Sequence, residues 1–163
     1  MQSSMAERLA YGTPLDPVAD DTPVHLVPRS TTALVGRILI SAIFILGGIS
    51  KFSHPAATIG YMESAGVPSA HVLMYVAAIA ELLGGLAILL GFLTRLGALG
   101  LFIYLIPVTL LMHAFWKSTG MAAQMQQVNF LKNLTIMGGL LAFYAFGPGR
   151  FSIDRRMRRP MQP

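Results

Sequence analysis

Glu81 is the residue whose chemistry most needs explaining. It lies near the middle of an apolar block running from about His71 to Gly91, about 10 residues or 15 Å from either end if the block is helical. A carboxylate at that depth costs at least about 2.5–3.5 kcal/mol unless it is neutral, paired or beside a polar cavity. Lys51 and Lys132, at the ends of two neighbouring apolar blocks, are the cations placed to reach it. Such a pair has two readings. It fixes helix register as a structural ion pair, or it lines a cavity that handles protons or a polar headgroup. His113 closes a third block, with Thr109 one turn before it on the same face, and Asn133 stands beside Lys132. An imidazole there serves as an interfacial hydrogen-bonding group or contacts a ligand.

Other chemistries find less support. His54, His71 and His113 have no metal-ligand spacing, so no metal site is expected. A haem between helices needs two facing axial ligands, and His113 is the only histidine well inside a helical block. Met112, Met121 and Met125 read as flexible gap-fillers rather than a copper site. Cysteine is absent, which excludes disulfides, thiolate ligation and thiol catalysis. Any redox work would therefore run on a bound cofactor, a quinone or a partner protein.

The elements that position these residues follow from composition. The 163 residues are 54% hydrophobic and only 12% charged, about half the roughly 25% charge of ordinary soluble domains. Between His71 and Gly149 only Glu81, Arg95, Lys117 and Lys132 carry formal charge. A soluble globular domain is excluded on this ground. Four apolar blocks, at about 33–50, 71–91, 96–115 and 130–147, each have roughly the length of a membrane-crossing helix. Backbone groups in lipid must be satisfied within the segment, so helix is the expected conformation. The expected fold is an all-α, integral-membrane four-helix bundle over residues 31–150. A polar, flexible tail (residues 1–30) precedes it and a basic tail (151–163) follows. No cleavable signal peptide is read in the first 30 residues.

Charge sorting sets an orientation. All three lysines fall on the side of the first and third connections, and all nine arginines on the other. That bias places both termini in the cytoplasm. Arg37, Arg95, Arg155, Arg156, Arg158 and Arg159 are then expected at the membrane surface, the last four against anionic headgroups, with no nucleic-acid partner. The tight link around Leu93-Thr94-Arg95 makes the second and third blocks antiparallel neighbours. Phe44, Gly47, Gly48 and Lys51 share one helix face, as do Glu81, Gly84, Gly85 and Ile88, and Thr135, Gly138, Gly139 and Ala142. Small residues on such faces let helices approach closely in lipid. Pro107 should kink the third helix near Thr109 and His113. The recurrence of Gly84-Gly85-Leu86-Ala87 as Gly138-Gly139-Leu140-Leu141 is open to two readings, a parallel two-helix duplication or compositional drift.

Read in order, certain segments resemble the DoxX family. They are Gly36-Arg37, Gly47-Gly48-Ile49-Ser50-Lys51, Tyr61 to Pro68, Glu81-Leu82-Leu83-Gly84-Gly85-Leu86, Gly91-Phe92-Leu93-Thr94-Arg95, His113, Lys132-Asn133-Leu134, Gly147-Pro148-Gly149 and Ser152-Ile153-Asp154-Arg155. The resemblance runs from about Leu34 to Arg155. It implies a small four-helix protein of a bacterial inner membrane, multi-pass, whose relatives accompany quinone-dependent oxidoreductases and membrane complexes of oxidative-stress defence. It places the family's polar positions on Arg37, Lys51, Glu81, Arg95, His113, Lys132 and Asn133. A quinone is the cofactor it implies, and subunits of a membrane oxidoreductase complex are the partners; association with a second copy is left open. The alternatives are a non-enzymatic scaffold or assembly factor and, less favoured, a small-solute transporter, since four helices form a thin pathway.

Overall fold

The computed structural model describes residues 29–157, which form helices, turns and short connections with no strand among them. In chain order they are α1 (Arg29–Ser53), α2 (Pro55–Ser64), α3 (Ala70–Leu90), α4 (Thr94–Met112), a single 3-10 turn (Phe115–Lys117), α5 (Gly120–Phe146) and α6 (Ile153–Met157). The expected N-terminal tail, apart from its last two residues, and Arg158 and Arg159 lie outside the described residues.

Three helical segments, Ser30–Ser53, Ala70–Leu90 and Thr94–Lys117, are long and apolar enough to cross a membrane. Their outward faces are apolar and open: Leu39 is 70% exposed and Leu46 66%. Surfaces of that kind are a liability in water and ordinary in lipid. The fourth expected block is part of a longer helix. At 27 residues α5 measures about 40 Å, but its first half carries Gln124, Gln126, Gln127, Asn129, Lys132 and Asn133. That polar half sets it apart from the other three.

Round the bundle, α1 packs chiefly on α3, α3 on α4 and α4 on α5, whereas α1 and α5 touch sparingly. The α1–α3 contact is close because Gly48 has no side chain. A Cβ there would lie 2.6 Å from Leu82 and 3.0 Å from the Ala78 carbonyl. The main core joins Phe44, Ile88, Ala98, Leu101, Leu105 and Leu140. A second cluster, Met62, Val67, Ala70 and Met74, fastens α2 over the other end of the bundle. α2 starts on Pro55, a residue suited to the first helical turn. It ends where the Val67 amide donates to the Met62 carbonyl at 3.0 Å.

The arginine end is wired through the backbone. Gly91 closes α3 at φ 68°, and a Cβ there would meet Ser152 at 2.5 Å and the Arg37 guanidinium at 2.6 Å. Arg37, one of the arginines placed at the membrane surface by charge sorting, is 2% exposed within the bundle. Its guanidinium donates to the carbonyls of Leu89 (2.9 Å), Pro148 (3.1 Å) and Phe151 (2.6 Å). The planar fork of arginine satisfies several divergent acceptors at once. Asp154 belongs to the expected basic tail, yet it caps α4. Its carboxylate accepts from the amides of Leu93 (2.8 Å) and Thr94 (3.0 Å) and from the Thr94 hydroxyl (3.0 Å). The segment from Phe151 to Asp154 thus packs on the bundle, while Arg95, Arg155 and Arg156 are exposed.

Candidate functional site

Glu81 is 8% exposed, and both of its carboxylate oxygens are engaged. Lys51 Nζ donates to Oε2 at 2.7 Å and the Tyr104 hydroxyl donates to Oε1 at 2.7 Å. Helices α1, α3 and α4 therefore meet at one carboxylate. Gly47 makes room for it, since a Cβ at that position would sit 2.9 Å from Oε2. Of the two lysines expected to reach Glu81, Lys51 does so. Lys132 Nζ donates instead to Asn129 Oδ1 at 2.9 Å.

A second polar line runs from α4 to α5 and α2. Asn133 is buried and its amide donates to the Thr109 hydroxyl at 3.1 Å. His113 Nδ1 is 2.9 Å from Gln126 Oε1. The Gln126 amide donates to the Tyr61 hydroxyl at 2.9 Å, which in turn donates to the Met112 carbonyl at 3.0 Å. These bonds staple α2 to the end of α4 and the start of α5.

Between the two core clusters lies a cavity of about 300 Å³. Lys51, Glu81, His113, Lys132 and Asn133, the five residues singled out for ligand or proton chemistry, all line it. Phe44 and Leu105 of the main core form its floor, and Met62 and Met112 its ceiling. Its remaining wall is largely apolar, with Ile43, Val108 and Ile136 prominent. Two lysines against one glutamate leave the lining with an excess of positive charge. Lysine ammonium groups and the Asn133 amide supply donors, His113 Nε2 is an acceptor because Nδ1–H donates to Gln126 Oε1, and the Glu81 oxygens already hold two donors. The site accordingly suits an uncharged or anionic head rich in acceptors, attached to an apolar body. At about 300 Å³ it stands at the low end for small-molecule pockets: room for a ring-sized head, not for a long tail.

The arginines lie elsewhere. Arg95 and Arg155 border a separate cavity of about 570 Å³ at the opposite end, together with Asp154 and Gly147. Two cavity or staple residues, Tyr104 and Gln126, escape a sequence reading, and Tyr61 enters it only through the family resemblance. Tyr104 left one signal. Tyrosine prefers membrane interfaces, so a tyrosine in the middle of an apolar block must find a partner for its hydroxyl.

The chain matches the DoxX family model over residues 32–114. It is 42% identical over 126 residues to "Inner membrane protein YqjF" of Escherichia coli (strain K12), covering 77% of this chain and 92% of that one. It is 34% identical over 128 residues to "Inner membrane protein YphA" of the same organism, covering 78% and 91%. A shorter match, 38% identical over 63 residues, covers 39% of this chain and 46% of "Putative oxidoreductase CatD" of Bacillus subtilis (strain 168). No solved structure matches the chain at a comparable level.

Proposed function

This chain belongs to the DoxX family of membrane proteins, and we propose that it serves as the membrane subunit of an oxidoreductase system that holds a quinone-like ligand in the Glu81 cavity. In this reading α5 is the fourth span, and the arginine end faces the cytoplasm. The observation that carries the reading is convergence: five polar residues from four separate stretches of sequence line one cavity of ring-head size. The oxidoreductase part draws its support from the name of the shorter match.

A bound quinone would supply reversible two-electron, two-proton chemistry, with electrons delivered by a partner. The residues of this chain bind and orient it. The Lys132 ammonium donates to a ring oxygen, and His113 Nε2, an acceptor because Nδ1–H donates to Gln126 Oε1, accepts from a hydroxyl of the reduced ligand. Lys51, anchored on Glu81, holds positive charge near the head. Glu81 itself positions Lys51 and Tyr104. Its two oxygens already accept from Lys51 and Tyr104, so the ligand meets Lys51 rather than the carboxylate. Lipid extraction of the purified protein tests the proposal: quinone retained in near-stoichiometric amount by the wild type and lost in His113→Ala supports it, and no quinone in either, with none taken up on addition, rejects it.

One observation favours the scaffold alternative. The Lys51–Glu81–Tyr104 junction ties three helices together, as an ion pair fixing register would. Under that alternative, loss of Glu81 lowers the yield of folded protein and of any co-purifying complex, and cavity variants such as Lys132→Met change nothing.

A further inference from the structure

The cavity is too small for a long apolar tail, and its boundaries indicate where a tail would go. At the arginine end α1 and α5 touch: a Cβ on Gly36 would lie 3.2 Å from the Phe143 ring, and one on Gly139 2.9 Å from Ile40. Toward the lysine end the same helices contribute opposite walls of the cavity, Ile43, Gly47 and Lys51 from α1 and Lys132, Asn133 and Ile136 from α5. The floor is shut by Phe44, 3% exposed, and Leu105, 5% exposed. The roof is α2, stapled through Tyr61 and Gln126. Ile43 both lines the cavity and is 40% exposed on the outer surface of the bundle. It therefore stands on a rim where the cavity meets the lipid-facing side.

Building on the ligand reading above, we infer that the cavity opens sideways, between the lysine-end halves of α1 and α5, and takes an amphiphile dissolved in the membrane. Its acceptor-bearing head lies among Lys51, His113, Lys132 and Asn133. Its apolar tail passes Ile43 and Ile136 into the lipid. The tail then stays in a medium as apolar as itself, whereas a route through α2 would carry it past polar groups toward water. The two lysines flank this mouth, where they also attract a head that carries negative charge.

The absence of cysteine permits a reversible test. Ile43→Cys, in lipid nanodiscs, is modified with a benzyl thiosulfonate and later released with a reductant. Leu39→Cys, on the same helix and 70% exposed, is the control. After removal of the reductant, binding is measured for a decyl-tailed benzoquinone and for the same ring with a methyl in place of the tail. The remaining ring positions of both are all substituted, so that neither forms a thiol adduct. Expected is a loss of about tenfold or more for the tailed ligand only, confined to modified Ile43→Cys and reversed on reduction. Unchanged binding of the tailed ligand, or equal loss of both ligands, overturns the sideways route. Failure of the unmodified wild type to bind either ligand overturns the ligand reading itself, and the route with it.

Discussion

The Tyr104 hydroxyl donates to Glu81 Oε1 at 2.7 Å, joining α4 to α3 at the carboxylate whose other oxygen holds Lys51. One acidic group thus has its partners on two different helices. The depth of Glu81 in an apolar segment is tolerable because its charge is matched and its oxygens are filled.

Tyr104→Phe keeps the ring and removes the donor, leaving Oε1 without that bond. It should cost about 1–3 kcal/mol. Glu81→Gln should cost about 1.5–3 kcal/mol through the lost charge-assisted bond to Lys51. Thermal unfolding in detergent measures each, and the double variant should lose less than the sum, because both changes act on the same junction.

Two glycines of similar spacing should behave in opposite ways. Gly48→Ala drives a methyl into Leu82 and the Ala78 carbonyl and should destabilise by about 1–3 kcal/mol. Gly138→Ala meets nothing within 4 Å, so its stability should stay level or rise by up to about 1 kcal/mol from helix propensity. Melting temperatures of the two variants check the contrast.

At the arginine end, Asp154→Ala removes the cap of α4, a change that should cost about 0.5–2 kcal/mol. Arg37→Lys replaces a fork by a point charge and should lose more than Arg95→Lys, because Arg37 is buried among three carbonyls and Arg95 is exposed. Limited proteolysis should cut the C-terminal segment faster in Asp154→Ala and Arg37→Lys, and at the wild-type rate in Arg95→Lys.

Lys132 is exposed at the cavity edge and bonded to Asn129 on its own helix. Lys132→Met should therefore leave the melting temperature unchanged while weakening binding of a benzoquinone by about tenfold, or 1.4 kcal/mol. A drop in melting temperature without a change in affinity would assign Lys132 a structural role instead.

The polar cluster was legible because charged residues in the apolar blocks are so few, and because helical spacing put Gly47, Gly48 and Lys51 on one face. The rest was hidden for identifiable reasons. The stretch from His54 to Ser69 is broken by Pro55, Gly60, Gly66 and Pro68 and shows no helical period, so nothing local predicts α2, the roof. Gln126 lay before the apolar block at 130–147, and the helix that contains it begins at Gly120. Tyr104 counted as one more apolar residue. Arg37 stood near the start of a block, where arginines ordinarily reach for headgroups. Its carbonyl partners lie 52, 111 and 114 residues away, beyond any local pattern.

The most direct measurement of the central claim is a titration of the wild-type protein in nanodiscs with a decyl-tailed benzoquinone. It is followed by quenching of Trp116, the one tryptophan of the chain, which packs against Phe115 and Phe130. Saturable quenching in the wild type, weakened about tenfold or more in Lys132→Met at unchanged melting temperature, is the expected result. Linear, unsaturable quenching that is the same in both proteins would contradict a quinone site in this cavity.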